Sequence, residues 1–459
     1  MTPKPRFRYE RFGGIVSLHR PRGLAYVDRD YARSLGFGGS PLWEDEGAAE
    51  GPQPVEEEDR PAGRRAEAEG PQPVIGERPL SAPTEVHLVV SKRCSAGCTG
   101  CYVDAVPDGP ALTLAEAKAA LDKLAAMGVF HVALGGGEAV DLPYLLEIAR
   151  HARRRGIVPN LTTSGLSVDE AFAREAAPVF GQINVSVDGL REDYERSRGF
   201  DGFDHAVRAL SKLRAQTPHV GINCVVSRDN ADRLGPLVAL ARRLRLSEVE
   251  FLRFKPAGRG ADRFEDRDLT PRQAMRLYPR ALWYTVRHRM RIKLDCSFAP
   301  MIFAHNPPRA LVDFFGVQGC VGGDVLASVM PDGQWVGCSF GGPQEGHVTE
   351  EGVWEKGFGA FRDYVKRAPE PCASCDYLAL CRGGCRVVAK AAGDWWQPDP
   401  GCPRVQGWKA AHPGEALGSA RPLDFSGPSA SARRPAEPSS SLEAGALAGV
   451  GHKLPIWIG

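Results

Sequence analysis

The residues best suited to chemistry lie in one stretch, Ser91–Tyr102, which reads S-K-R-C-S-A-G-C-T-G-C-Y. Cys94, Cys98 and Cys101 follow C-x3-C-x2-C spacing directly after an apolar run, Val86–Val90, that reads as a strand. Three thiolates on a short loop can hold three corners of a cubane iron–sulfur cluster; the fourth iron is then open to a substrate or cofactor. The competing reading is a zinc loop, or three unrelated core cysteines. Structural zinc commonly takes four ligands from paired C-x2-C groups, and this triplet has no such pair close in sequence. A second group comprises Cys320, Cys338, Cys372, Cys375, Cys381, Cys385 and Cys402. Its C-x2-C pair admits zinc ribbons or knuckles. Cys224, within I-N-C-V-V, reads as a small buried hydrophobe. The 11 histidines form no H-x-x-H or H-E-x-x-H pattern.

These cysteines need a frame. From Leu80 onward, short apolar runs alternate with amphipathic segments. Strands are expected at Glu85–Val90, Phe130–Leu134, Val158–Thr163, Gln182–Val187, Val220–Val226 and Glu248–Phe254. Between them, Thr113-x-x-Glu116 is a capping box opening a helix that ends at Gly128. Further helices are expected at Asp141–Arg155, from Ser167-x-x-Glu170 to Phe180, at Phe203–Gln216 and at Ala231–Leu244. Strand–helix alternation predicts an α/β fold with a parallel sheet and right-handed crossovers. Six units are too few for a closed eight-fold barrel, and in such folds chemistry gathers at the C-terminal ends of strands. One such end carries Gly135-Gly136-Gly137-Glu138, where glycines permit close backbone approach and the carboxylate can accept from an ammonium. A connector at 261–319 contains a helix from Thr270-Pro271 to Met290, then a short strand, Arg291–Asp295, ending at Cys296. M-P-D-G-Q-W-V-G-C, ending at Cys338, reads as a hairpin with a D-G turn.

Bulk properties set outer limits. The chain has 459 residues, room for two or three domains, and its 43% hydrophobic content supplies a sizeable core. A net charge of +2 gives no global field favouring nucleic acid or an acidic membrane surface. No apolar run is long enough to cross a bilayer and no signal peptide is evident, so a cytoplasmic location is expected. In that compartment clustered thiols read as metal sites before disulfides. Residues 1–40 hold two alternating runs, Gly14–Leu18 and Gly23–Val27, expected to form a hairpin, followed by a helix-like piece, Asp30–Leu35. This segment reads either as a docking element or as a strand pair padding the main domain. Residues 41–80 repeat G-P-Q-P-V and include the acidic run Glu56–Asp59; they are expected to be a disordered linker, as residues 411–459 are a disordered tail with an apolar end, Leu454–Ile458.

The cysteine triplet followed by an aromatic residue, at the end of the first strand, resembles the signature of the radical S-adenosylmethionine (radical SAM) superfamily. That resemblance implies a six-unit (β/α) partial barrel over 81–262. It implies a [4Fe-4S] cluster on Cys94, Cys98 and Cys101 whose open iron chelates S-adenosylmethionine, giving a 5′-deoxyadenosyl radical that takes hydrogen from a substrate. By the same resemblance Tyr102 borders the cofactor and Gly136-Gly137-Glu138 is the G-G-E motif that holds its amino group. Thr162-Thr163-Ser164-Gly165 resembles a T-T-N-G turn, with Ser164 where Asn is usual. Ser186-Val187-Asp188-Gly189 resembles the S-x-D-G turn, which places Ser186 and Asp188 near the cofactor. Arg253 is a candidate partner for the cofactor carboxylate. Arg198-Gly199-x-x-Gly202-Phe203 loosely resembles a stretch of peptide-modifying members, its Phe one residue early.

The second cysteine group is similar throughout to the seven-cysteine SPASM pattern, expected over 263–410 with its connector. The resemblance implies one or two auxiliary iron–sulfur clusters: one on Cys372, Cys375, Cys381 and Cys402, the other on Cys320, Cys338 and Cys385. Full members add an eighth cysteine shortly before the first. Here either Cys296 closes that site from a distance or one iron is open or bound otherwise. The chain is identified as a radical SAM/SPASM enzyme, a peptide maturase that cross-links or oxidises a ribosomally made peptide or protein. Its expected partners are that substrate, an electron donor such as a flavodoxin or ferredoxin, and a separate leader-peptide-binding protein, with no nucleic acid and no membrane. The alternatives are action on a small molecule such as a tetrapyrrole, a non-catalytic iron–sulfur peptide-binding relative, and a zinc protein.

Overall fold

The computed structural model describes residues 6–19, 22–43, 80–415, 417 and 456–458. Most of the expected linker and most of the expected tail lie outside the described residues. The chain divides into two units, one up to Ala82 and one from Pro83.

In the first unit three strands, β1 (Phe7–Glu10), β2 (Gly13–His19) and β3 (Arg22–Asp28), form an antiparallel sheet in that order, followed by helix α1 (Arg29–Ser34). The expected hairpin is β2–β3; β1 is an addition. In β1 the inward residues are charged: Arg8 and Glu10 are buried and pair at 2.8 Å. The other face of β1, Phe7 and Tyr9, packs on the small core around Val16, Val27 and Trp43. Trp43 closes the unit, its indole N–H donating to the Glu10 carbonyl at 2.8 Å.

In the second unit six strands run parallel and neighbour one another in chain order: β4 (Glu85–Ser91), β5 (His131–Gly136), β6 (Val158–Thr163), β7 (Ile183–Ser186), β8 (Val220–Val226) and β9 (Glu248–Arg253). Their crossovers carry α2 (Leu114–Ala126), α3 (Leu145–Arg154), α4 (Glu170–Ala176), α5 (Arg191–Arg198), α6 (Phe203–Gln216) and α7 (Leu234–Arg243). The Thr113/Glu116 box forms with both reciprocal bonds. The helix expected from Ser167 starts later, because Asp169 caps it and Ser167 turns its hydroxyl to Asp141. It also ends at Ala176, short of Phe180. Past β9 come a single turn α8 (Phe264–Arg267), the long α9 (Pro271–His288) with its own capping box, β10 (Ile292–Leu294), α10 (Ala299–Phe303) and α11 (Arg309–Phe315).

The expected hairpin is β11 (Leu326–Val329) and β12 (Trp335–Val336), turning at Gly333 with φ +78°. Unexpectedly, β11 pairs in parallel with β4, so the hairpin extends the core sheet. At the other edge β10 pairs with β9, and β13 (Ile456–Ile458) with β10. The six-strand sheet curls into a partial barrel. Six strand spacings from β4 to β10 would span about 29 Å if flat. Yet Glu85 on β4 acts electrostatically on Lys293 of β10, as Lys255 past β9 acts on His87 of β4. The core is the continuous apolar layer between sheet and helices, from Val86 and Leu88 to Phe251 and Leu294. No helix among the described residues is long and apolar enough to cross a membrane.

Candidate functional site

The C-terminal end of β4 feeds directly into the cysteine loop. Backbone bonds shape that loop: Cys94 N–H donates to Val106 O at 2.9 Å, and Cys101 N–H to Cys98 O at 3.3 Å. Each sulfur faces one N–H donor. Ala96 N–H points to Cys94 Sγ at 3.4 Å, Ala105 N–H to Cys101 Sγ at 3.3 Å, and Arg198 Nη1 to Cys98 Sγ at 3.8 Å. Cys94 is pushed up by burial and by Glu138 and the other two sulfurs. Three half-buried thiols with N–H donors suit thiolate ligation of a cluster, whose potential such bonds tune.

The glycine-rich end of β5 is laced to this loop. Gly137 N–H donates to Ser91 O at 2.6 Å and Glu138 N–H to Arg93 O at 2.9 Å. A Cβ on Gly136, with φ +121°, would sit 2.2 Å from Ser91 O, and one on Gly137 2.2 Å from Arg93 O. Only glycine allows that approach. Glu138 is buried and accepts from Val140 N, Thr163 Oγ1 and Ser164 N at 3.1, 2.8 and 2.8 Å, and from the Ser164 hydroxyl. Burial pushes its carboxyl up while these bonds act in the opposite sense. Ser164 is thus brought onto Glu138. Ser186 stands at the end of β7, in register with Asn223.

Two expected cofactor residues are committed elsewhere. Asp188 is buried and accepts from Arg198 Nε and Val225 N, both at 2.7 Å, so it holds Arg198 against Cys98. Burial works against the Arg198 charge, but Asp188 and the Cys98 thiolate outweigh it. Arg253 differs more from expectation: its side chain is fully buried and faces Asp399 at 2.7 Å and Asp268 at 3.0 Å. A guanidinium already paired with two carboxylates has no free fork for a third. Arg259 was not read from sequence. Its Nη1 donates to Ala105 O and pairs with Asp104, both at 2.9 Å, and its amide donates to Cys101 O at 3.0 Å, so the loop after β9 clasps the cysteine loop.

The remaining cysteines fall into two sets. Cys372, Cys375, Cys381 and Cys402 line one cavity, walled by Pro300, Phe303, Leu378 and Val405. Burial pushes Cys381 well above the usual thiol range, with the other three sulfurs adding to it. In the other set the Cys296 thiol donates to Cys320; this raises Cys296, and it lowers Cys320. Cys338 and Cys385 both sense the Cys320 charge. Cys381 and Cys385 are only four apart yet face different sets. Between them Arg382, Gly383 and Gly384 take φ of +54°, +72° and +81°, a reversal that glycines make accessible. Tyr102 joins the triplet to the Cys296 set: its ring packs on Phe340 at 4.7 Å between centroids, and both Cys101 and Cys338 act on its hydroxyl. Among the described residues no three His, Cys, Asp or Glu side chains converge on a single-ion site. A multi-iron cluster takes one thiolate per iron and does not require that convergence.

The sequence profile of the Radical SAM superfamily matches residues 88–240, from β4 through α7. The mycofactocin maturase MftC of Mycolicibacterium smegmatis is 30% identical over 349 residues, covering 73% of this chain and 86% of the relative. The Fe-coproporphyrin III synthase of Methanosarcina barkeri is 28% identical over 353 residues, 68% of this chain and 86% of that protein. Among solved structures, Streptococcus suis SuiB bound to its precursor peptide SuiA superposes with a TM-score of 0.63 at 15% identity, over 87% of this chain and 98% of SuiB. That likeness shows a shared fold. The identity to MftC over most of its length decides the family: the chain belongs to the radical SAM superfamily, as an enzyme of its SPASM-bearing group.

Proposed function

We propose that this enzyme matures a ribosomally made peptide or protein by abstracting hydrogen, leaving a cross-link or an oxidised side chain. The observation that carries the reading is the presence of three cysteine constellations: a triplet with an N–H on each sulfur, and two four-thiol sets, one of them joined to the triplet through Tyr102 and Phe340. In this reading a [4Fe-4S] cluster sits on Cys94, Cys98 and Cys101, and two auxiliary clusters sit on the two sets, Cys296 closing its own. S-adenosylmethionine on the open iron supplies the 5′-deoxyadenosyl radical when bound. Glu138, oriented by Thr163 and Ser164, accepts from the cofactor amino group; Gly136 and Gly137 let the backbone approach it. Ser186 and Tyr102 border the cofactor, and Arg198, held by Asp188, takes the carboxylate role expected of Arg253. The similarity to a maturase supports the peptide as substrate. A flavodoxin or ferredoxin as electron donor, a separate leader-binding protein and a cytoplasmic location complete the reading.

The test is anaerobic turnover of the reconstituted chain with S-adenosylmethionine, a reductant and a short peptide encoded beside its gene. We expect 5′-deoxyadenosine and a peptide that has lost hydrogen, both abolished in Cys98→Ala. Absence of 5′-deoxyadenosine from iron-replete protein overturns the catalytic reading. A tetrapyrrole substrate is the second reading, favoured by the similarity to a coproporphyrin-acting relative. It would show as 5′-deoxyadenosine formation stimulated by an iron porphyrin and not by peptide.

A further inference from the structure

The thiols of Cys296, Cys320, Cys338 and Cys385 share a neighbour that no cysteine pattern predicts. Lys255 follows β9, and its side chain is 4% exposed. Its ammonium donates to Asp295, the residue before Cys296, and to the Arg253 carbonyl at 3.4 Å. It lies 4.2 Å from the centroid of Phe340, two residues past Cys338. Close by, the Arg253–Asp399 pair reaches the Cys385 amide, which donates to Asp399 at 3.0 Å. Residues beside two of the four thiols, Asp295 and Phe340, thus hold one buried cation, and Arg253 links it through Asp399 to the Cys385 amide. Burial alone would push Lys255 down, but Asp295 and the thiols of Cys385 and Cys296 outweigh it and keep the ammonium charged. Lys255 lies within electrostatic reach of Cys338, Cys385 and Cys296, and Asp295 within reach of Cys296 and Cys338. The other set takes its electrostatic influences from its own sulfurs and from Arg386 and Asp399.

We infer that Lys255, opposed by Asp295, sets the reduction potential of the cluster held by Cys296, Cys320, Cys338 and Cys385, and of that cluster selectively. The inference rests on the reading that these thiols hold a cluster. Reduction adds negative charge to a cluster. A buried ammonium beside it stabilises the reduced form and raises the potential, and a buried carboxylate lowers it. The pair therefore works as two opposed levers on one site. Lys255 holds the set facing the Tyr102–Phe340 contact at a more positive potential, the condition for it to receive an electron from the triplet side.

The test is a redox titration of the reconstituted full chain, followed by electron paramagnetic resonance. The signal of this set is the one lost in Cys338→Ala. Lys255→Met is expected to move its midpoint to more negative potential and to leave the other clusters in place. Asp295→Asn keeps the acceptor that caps the Cys296 turn, and is expected to move the same midpoint to more positive potential. Lys255→Arg should stay near the parent. An unmoved midpoint in Lys255→Met, or an equal shift of every cluster, overturns the inference. Should Lys255→Met fail to fold, Asp295→Asn decides, and no shift or a negative shift overturns it. A parent protein with no signal that Cys338→Ala removes defeats the cluster reading itself; a signal present but unmoved defeats only the role of Lys255.

Discussion

The two four-thiol sets interleave in sequence, Cys385 lying between Cys381 and Cys402, yet they sit in different media. The set of Cys372, Cys375, Cys381 and Cys402 has an apolar wall, with Phe303 stacked on Tyr377 at 4.7 Å and Val405 1% exposed. Burial pushes Cys402 up to about 12 there, as it pushes Cys385 of the other set. The set of Cys296, Cys320, Cys338 and Cys385 lies against buried charge. Lys255 faces three of its sulfurs, and Arg382 and Arg386 act on Cys320. Arg386 also acts on Cys372, and Asp399 acts on Cys372, Cys402 and Cys385, so both are shared. If both sets hold clusters as proposed, identical ligands in unlike surroundings would give them unlike potentials, because net charge and solvent exclusion are the protein's main levers.

The largest test of that division is its membership. Cys296→Ala is expected to remove one cluster's iron and its auxiliary signal, and Cys402→Ala the other's, each leaving its counterpart intact. Cys224→Ala, at a fully buried strand position, should change neither. Metal analysis with spectroscopy reads all three. Full iron retention in Cys296→Ala would mean that the set closes without that thiol.

Asp399 comes next, since it ties the charged set to β9. It accepts from Arg253, from the Cys385 amide and from the Gly401 amide, and it is wholly buried. Asp399→Ala leaves one buried guanidinium half-paired and two amides without partners, a loss of about 3–5 kcal/mol. Anaerobic denaturant unfolding should show it, with Asp399→Asn recovering part. If Asp399→Ala unfolds like the parent, the charged network is not what holds the two parts together.

The spacing of thiols within each loop is local, and it was legible; so were all six strands, whose apolar runs repeat between helix caps. What stayed open or escaped depends on distant chain. Cys296 is one of the two ways the sequence offers to close the Cys320 set; that the two thiols meet is set by tertiary structure and not by a local pattern. Arg253 reads from sequence as a candidate partner for the cofactor carboxylate; its burial against Asp399, 146 residues away, has no local signal. Helix α5 escaped because R-E-D-Y-E-R-S-R buries only Tyr194, too little for a periodic face. Arg198 at its end became visible as a thiol neighbour only through Asp188.

The smallest expected effect tests the packed set. Val405→Ala removes two methyl groups from a wall that water does not reach, which costs about 2 kcal/mol in transfer and cavity terms. The substitution adds and removes no charge, so the thermal transition of the iron-loaded protein should fall by a few degrees while the midpoint of that cluster stays in place. The comparison with Lys255→Met then separates the two media. A packing change should move stability without potential, and a charge change should move potential at one cluster. If Val405→Ala shifts its cluster's midpoint as far as Lys255→Met shifts the other, solvent exclusion rather than charge governs both sets, and the difference between them is one of degree.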